Sequence, residues 1–161
     1  MIDDWESRVS AVWADTAELT DSEVVDAIDV LAAEREETDA AATFERASAR
    51  DFVGLEADAE PLYRRALELG LDDHRRPQAV IQLASTLRNL GQYAEAIVLL
   101  ESQLRADPES QWAAPTAAFL ALALASAGEE RAATSVALAA LAGYLPAYSN
   151  VVRRYAGELS A

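Results

Sequence analysis

The 161-residue chain carries 28 acidic and 13 basic residues, a formal net charge of -15, and 52% of it is apolar. That length and apolar content suit one domain with a buried core and argue against disorder throughout. Cysteine is absent, His74 is the lone histidine and every basic residue is arginine. Disulfides, thiol catalysis, cysteine or multi-histidine metal sites, a Schiff-base lysine and a P-loop lysine are therefore excluded.

The charge is uneven. Residues 1–73 hold 21 acidic and 6 basic residues, a net of -15, whereas residues 74–161 hold 7 of each. Acidity of this kind keeps a helical surface solvated and offers an attractive field to a basic partner. It disfavours nucleic acid, whose phosphates call for cationic surface.

The start, Met1-Ile2-Asp3-Asp4-Trp5-Glu6, lacks the basic and apolar regions of a signal peptide. The most apolar run, Ala117 to Ala125, is too short for a bilayer, which needs about 20 residues. A cytoplasmic protein without membrane contact is expected. Abundant alanine, with only 6 Gly and 5 Pro, predicts an almost entirely helical chain.

A first helix is predicted from about Asp3 to Glu18, with Trp5, Val9, Val12, Trp13 and Thr16 on one face. Thr20-Asp21-Ser22-Glu23 reads as a capping box opening a second helix with Val24, Ile28, Leu31 and Ala32 inward. Residues 1–37 thus form an N-terminal hairpin, joined through the charged connector Glu34 to Asp39.

Three repeats follow over residues 40–145. Gly54, Gly91 and Gly128 are each 37 residues apart. Seven residues before each glycine stands Ala47, Ala84 or Ala121, and five after it Ala59, Ala96 or Ala133. Such spacing fits paired helices: glycine ends the first helix at positive φ, and small residues let the helices cross closely. The longer turns are placed at Asp72 to Arg76 and Glu109 to Trp112. Pro61 falls in the first turn of its helix. Residues 146–161 form a last helix, with Pro146 in its first turn and Tyr148, Val151, Val152, Tyr155 and Leu159 as an apolar face. That face either caps the array or buries a dimer interface.

The middle unit, Leu83-Ala84-Ser85-Thr86-Leu87-Arg88-Asn89-Leu90-Gly91-Gln92-Tyr93-Ala94-Glu95-Ala96 with Asp107-Pro108 at its end, resembles the tetratricopeptide repeat family. Leu62 to Leu71 and Gln82 to Gly91 look like a bacterial subgroup of small stand-alone members without an assigned activity. The resemblance implies an all-α superhelix of about nine helices, TPR-like hairpins with a C-terminal capping helix, in one domain. It also implies a non-catalytic interaction module whose first helices line a groove for an extended peptide or partner helix. On that alignment the groove carries Phe44, Ser48, Asp51 and Phe52, then Gln78, Ile81, Gln82, Ser85, Arg88 and Asn89, then Ala118, Phe119, Leu122 and Ser126.

The family's lysine-based carboxylate clamp is absent, since Ile81 and Ser85 hold the matching places. Arg88 with Asn89 could hold a peptide carbonyl or acidic side chain; alternatively Asn89 caps its helix and Arg88 pairs with an acidic neighbour. Asp72, Asp73 and His74 are adjacent on one turn, a poor metal set, and Asp72 or Asp73 reads as a helix cap. Ser48 with Asp51, or Ser85 with Arg88, lacks the imidazole of a nucleophilic site. No cofactor, metal or catalytic residue is expected, and the partner is a protein or peptide. The chain is expected to be a monomer, or a homodimer through Trp5, Trp13 or the Tyr148 and Tyr155 face.

Overall fold

The computed structural model describes residues 4–160. Nine α-helices and one 3-10 turn, with no strand, account for the regular structure among them. The expected helical-repeat architecture is what forms. The chain divides into two compact units, Met1–Gln82 and Leu83–Ala161, with the boundary inside the helix Arg75–Asn89.

The first unit opens with α1 (Asp4–Ala14) and α2 (Asp21–Ala32), then α3 (Ala40–Phe52), α4 (Glu56–Leu69) and the start of α5 (Arg75–Asn89). Helix α1 packs on α2, α2 on α3 and α3 on α4. Trp5, Val9, Ile28, Leu31, Ala42 and Ala49 form a core across the first three helices. Trp5 is 4% exposed, and its indole Nε1 donates to Leu31 O at 2.8 Å, tying α1 to the end of α2. Arg50 forks onto Asp29 at 2.8 and 3.0 Å, joining α3 to α2. Burial raises the Asp29 pKa, but the bonds from Arg50 and then Arg46 outweigh it and hold the carboxyl below its usual range.

The second unit contains the rest of α5, then α6 (Tyr93–Ala106), α7 (Ala113–Ser126), α8 (Glu130–Ala142) and α9 (Ser149–Leu159). Helices α6, α7, α8 and α9 each pack on the next. Ser135 donates to Ala156 O at 2.7 Å and pins α9 to α8.

Three turns share one geometry. Gly54, Gly91 and Gly128 have φ of 77°, 78° and 83°. The residue after each glycine bonds back five residues: Leu55 N to Arg50 O at 2.8 Å, Gln92 N to Leu87 O at 2.8 Å, Glu129 N to Leu124 O at 2.9 Å. Each glycine N–H reaches the carbonyl three before it, at 3.0–3.1 Å. This is a Schellman closure, which satisfies carbonyls at the end of the first helix of each pair. Four of the six alanines at the matched spacing are fully packed, Ala47, Ala59 and Ala96 with no exposed surface and Ala84 with 1%, while Ala133 is 7% exposed and Ala121 half-buried.

Several boundaries depart from expectation. The expected start of the first helix, Asp3, lies outside the described residues, as do Met1, Ile2 and Ala161. The helix stops at Ala14, and Thr16 enters a 3-10 turn in which its hydroxyl bonds Trp13 O at 3.3 Å, a side-chain competitor for helical bonding. Pro61 lies beyond the first turn of α4, which begins at Glu56. Arg75 and Arg76 belong to α5, because Asp72 caps it through bonds from His74 N at 2.9 Å and Arg75 N at 2.7 Å. Pro146 precedes α9, whose N-cap Tyr148 has φ of 64°.

The last helix turns its small side inward. Ala156 is fully buried, while Tyr148 and Tyr155 are 79% and 54% exposed. The anchored Ala156 backbone allows close approach only on that side, so the expected apolar face is split. Trp5 is also removed as a candidate dimer contact by its burial.

At Gly91 a Cβ would meet no atom within 4 Å, so substitution strains only the backbone. Gly91→Ala is expected to cost about 1 kcal/mol, the left-handed penalty alone, and Gly91→Asn less. Urea unfolding followed by circular dichroism measures both.

Candidate functional site

A concave pocket of about 380 Å³ opens on the first unit, bounded by α1, α3, α4 and the start of α5. Helix α3 presents Phe44, Glu45, Ser48, Asp51 and Phe52, whose three- and four-residue spacings put them along one face. Trp13 arrives from α1, Tyr63 from α4, and Gln78 and Gln82 from α5. Five residues expected in a groove, Phe44, Ser48, Asp51, Gln78 and Gln82, therefore meet here.

Aromatic rings make the walls. Trp13 and Phe52 meet edge to face with centroids 5.9 Å apart, and Phe44 tilts against Tyr63 at 6.1 Å. Phe52 remains 55% exposed. Polar groups are tied to one another. Ser48 Oγ donates to Gln82 Oε1 at 3.1 Å, the Tyr63 hydroxyl to Asp51 Oδ2 at 3.3 Å, and Gln78 Nε2 to His74 O at 3.0 Å. Burial, and then the Asp51 charge, push the Tyr63 phenol well above its usual pKa, so it is a donor at every physiological pH.

Glu45 is buried at the edge of the pocket. Its Oε2 accepts from Trp13 Nε1 at 2.8 Å, and Arg75 Nε lies 3.7 Å from its Oε1. Arg75 also binds Glu6 and, at 2.9 Å, Asp72. Burial raises the Glu45 pKa, and the Trp13 bond and the Arg75 charge only partly oppose it.

The other expected groove residues, Ser85, Arg88, Asn89, Phe119 and Leu122, lie in the second unit. Arg88 donates to Asn89 Oδ1 at 3.0 Å, while its Nε is buried without an acceptor. The neighbouring amide thus takes the place of the acidic partner considered for Arg88. Phe119 is half-buried. Leu122 borders a separate apolar groove of about 640 Å³ between α7 and α8, with Ala118, Ala137, Leu141 and Tyr144. Ile81 is 6% exposed and belongs to the core instead of a groove.

The repeat register accounts for that second groove. Ten residues before and nine after the turn glycine stand Phe44 and Tyr63, then Ile81 and Leu100, then Ala118 and Ala137. The first two pairs are buried. In the third pair only methyls are present, and the space stays open.

The family model described as Tetratrico peptide repeat matches residues 40–159. The chain belongs to the tetratricopeptide repeat family. The match runs past residue 145 and takes in α9. A solved structure of a MamA RS-1 ArsTM double mutant is 18% identical, with a TM-score of 0.64 over 99% of this chain and 92% of that one. At that identity the likeness concerns fold alone. Among curated proteins none matches.

In this tetratricopeptide chain, Trp13 comes from outside the matched segment, which is why the repeat pattern could not assign it to the pocket. Its signal was present as the last aromatic on the α1 stripe, left half-buried where the helix ends. Glu45 was missed because a charged residue on a helix reads as surface.

Glu45 generates a pH test. A carboxyl with a raised folded pKa binds its proton more readily in the folded state, so stability falls as pH rises from about 4.3 through the folded value. Glu45→Gln keeps an oxygen for the Trp13 indole and does not titrate. The stability of the natural chain minus that of Glu45→Gln is expected to decrease between about pH 4.3 and neutrality. Urea unfolding at a series of pH values reads this difference; an increase would mean that the Arg75 charge dominates over burial.

Proposed function

We propose that this tetratricopeptide protein is a non-catalytic interaction module, and that the α1–α3–α5 pocket receives an extended peptide or a short partner-helix segment. The reading rests on one observation above others: an aromatic-walled recess with Phe52 half open to solvent, lined by amide, hydroxyl and carboxylate groups on the first helices of the repeats. A few large aromatic anchors with flanking polar groups are what a peptide-binding hot spot requires.

The net charge of -15 over residues 1–73 supports a basic partner, drawn in by a field that salt screens over roughly 8–10 Å. Within the described residues no helix is long and apolar enough to cross a membrane. A cytoplasmic setting, a single domain and a monomeric or homodimeric state complete the proposal.

Peptides selected from a random display library against the full chain test it. Phe52→Ala is expected to weaken the selected peptides about five- to tenfold, as truncating an aromatic anchor does. Leu141→Ala, on the α7–α8 groove, is expected to leave them unchanged. Rising salt should weaken binding further. Loss with Leu141→Ala and none with Phe52→Ala would move the binding face to the second unit and overturn the proposal.

A further inference from the structure

The same pocket narrows which side chain it can take; this inference rests on the peptide-binding reading above and names the class of residue recognised. The polar lining is already occupied by the fold. Trp13 Nε1 donates to Glu45, Ser48 Oγ to Gln82, the Tyr63 hydroxyl to Asp51 and Gln78 Nε2 to His74 O. Arg75 Nε lies 3.7 Å from Glu45 Oε1, and Asp51 and Gln82 hold further interactions besides these. Among the described residues, no buried side-chain polar atom of this lining lacks a partner. An occupant that needs hydrogen bonds would compete with bonds the protein makes to itself.

Charge is therefore disfavoured inside the recess. A charged side chain sheds water on entry and recovers that cost only through close pairing and hydrogen bonds. An acidic group would also meet like charge at Asp51 and Glu45. A basic group is drawn towards residues 1–73, with their net charge of -15, but from the rim it keeps its water and still feels a field that reaches roughly 8–10 Å.

The surface left uncovered is aromatic. Tyr63 is fully buried and Phe44 is 5% exposed, whereas Phe52 is 55% exposed and Trp13 half-buried. The Phe52 and Trp13 rings meet edge to face, with centroids 5.9 Å apart. An aromatic ring has a negative face and a positive edge. Set against Phe52, an entering ring turns part of its edge towards the carboxyl groups of Asp51 and Glu45, which line the same recess. A saturated ring of the same size lacks that charge distribution. A recess of about 380 Å³ holds one such side chain.

We propose that the recess formed by Trp13, Glu45, Asp51 and Phe52 is a specificity pocket for an aromatic side chain of a basic peptide. The ring lies against Phe52 with its edge towards the carboxyl groups, and the flanking basic residues stay at the acidic rim.

Three N-acetylated, C-amidated pentapeptides test this with the full ¹⁵N-labelled chain. Each carries two arginines on either side of a central residue. That residue is phenylalanine, cyclohexylalanine, which keeps the size and apolarity and loses the π system, or a further arginine. NMR titration follows the Trp13 indole N–H, which senses the ring current of an aromatic occupant. The phenylalanine peptide is expected to shift that signal and to bind about two- to tenfold more tightly than the cyclohexylalanine peptide, the size of an aromatic pair. It is also expected to bind more tightly than the all-arginine peptide. Phe52→Leu keeps an apolar surface and removes the ring, so it should abolish the preference for phenylalanine over cyclohexylalanine. The peptide comparison needs no variant and stands even if Phe52→Leu perturbs the fold. Equal or tighter binding of the cyclohexylalanine or all-arginine peptide would overturn the aromatic assignment and leave the peptide-binding reading intact. If none of the three moves the Trp13 signal, the aromatic assignment also fails, and the display-selected peptides judge the peptide-binding reading separately.

Discussion

Close approach of helices through alanine is the constraint on which the rest of this molecule depends. Ala47 and Ala59 have no exposed surface on α3 and α4, nor does Ala96 on α6. A methyl at such a position sets the shortest distance at which two helices can pair, and any larger side chain would push them apart. The glycine turns act with it. Three Schellman closures have nearly the same φ and the same backbone bonds, so each first helix ends in the same way. Spacing and turn together make the hairpin a unit that can be repeated, and everything variable is then confined to the residues between.

That confinement explains where open surface arises. Register-equivalent pairs shrink along the chain from Phe44 and Tyr63 to Ala118 and Ala137. In the first unit the large pair fills its hairpin and serves as the floor of a polar, aromatic-walled pocket. In the second unit the alanine pair leaves an apolar groove beside Leu122 and Leu141. The groove-facing series change too: Ser48, Ser85 and Leu122 are equivalent, as are Asp51, Arg88 and Ala125. One backbone plan therefore presents an acidic site in one place and an apolar one in another.

The repeat was legible in the sequence because it depends on residues with only one physical use. A glycine at positive φ and an alanine at a tight crossing have few substitutes, so their 37-residue spacing survives inspection. Pocket residues were legible only in part. Phe44, Ser48, Asp51, Gln78 and Gln82 fell on the expected helix faces, because their register follows from the glycine. Trp13 did not, since α1 lies outside that register, and its inclusion depends on how α1 and α2 dock on α3. Ile81 shares the register of Phe44 and is buried as Phe44 is, but of the two Phe44 alone borders the pocket. Glu45 escaped notice because only the tertiary structure supplies Trp13 and Arg75 as the partners that make a buried carboxylate tolerable.

The net charge of -15 acquires a location in this picture. It belongs to residues 1–73, which supply most of the aromatic-walled pocket, and leaves the apolar groove on the neutral half of the chain. The proposed function therefore draws on the end of the protein where acidic field and aromatic surface coincide. Intermolecular NOE measurements on the labelled chain bound to a display-selected peptide test this assignment most directly. The account predicts contacts from the peptide to the Trp13 indole and the Phe52 ring; contacts to Leu122, Leu141 and Tyr144 instead would contradict it.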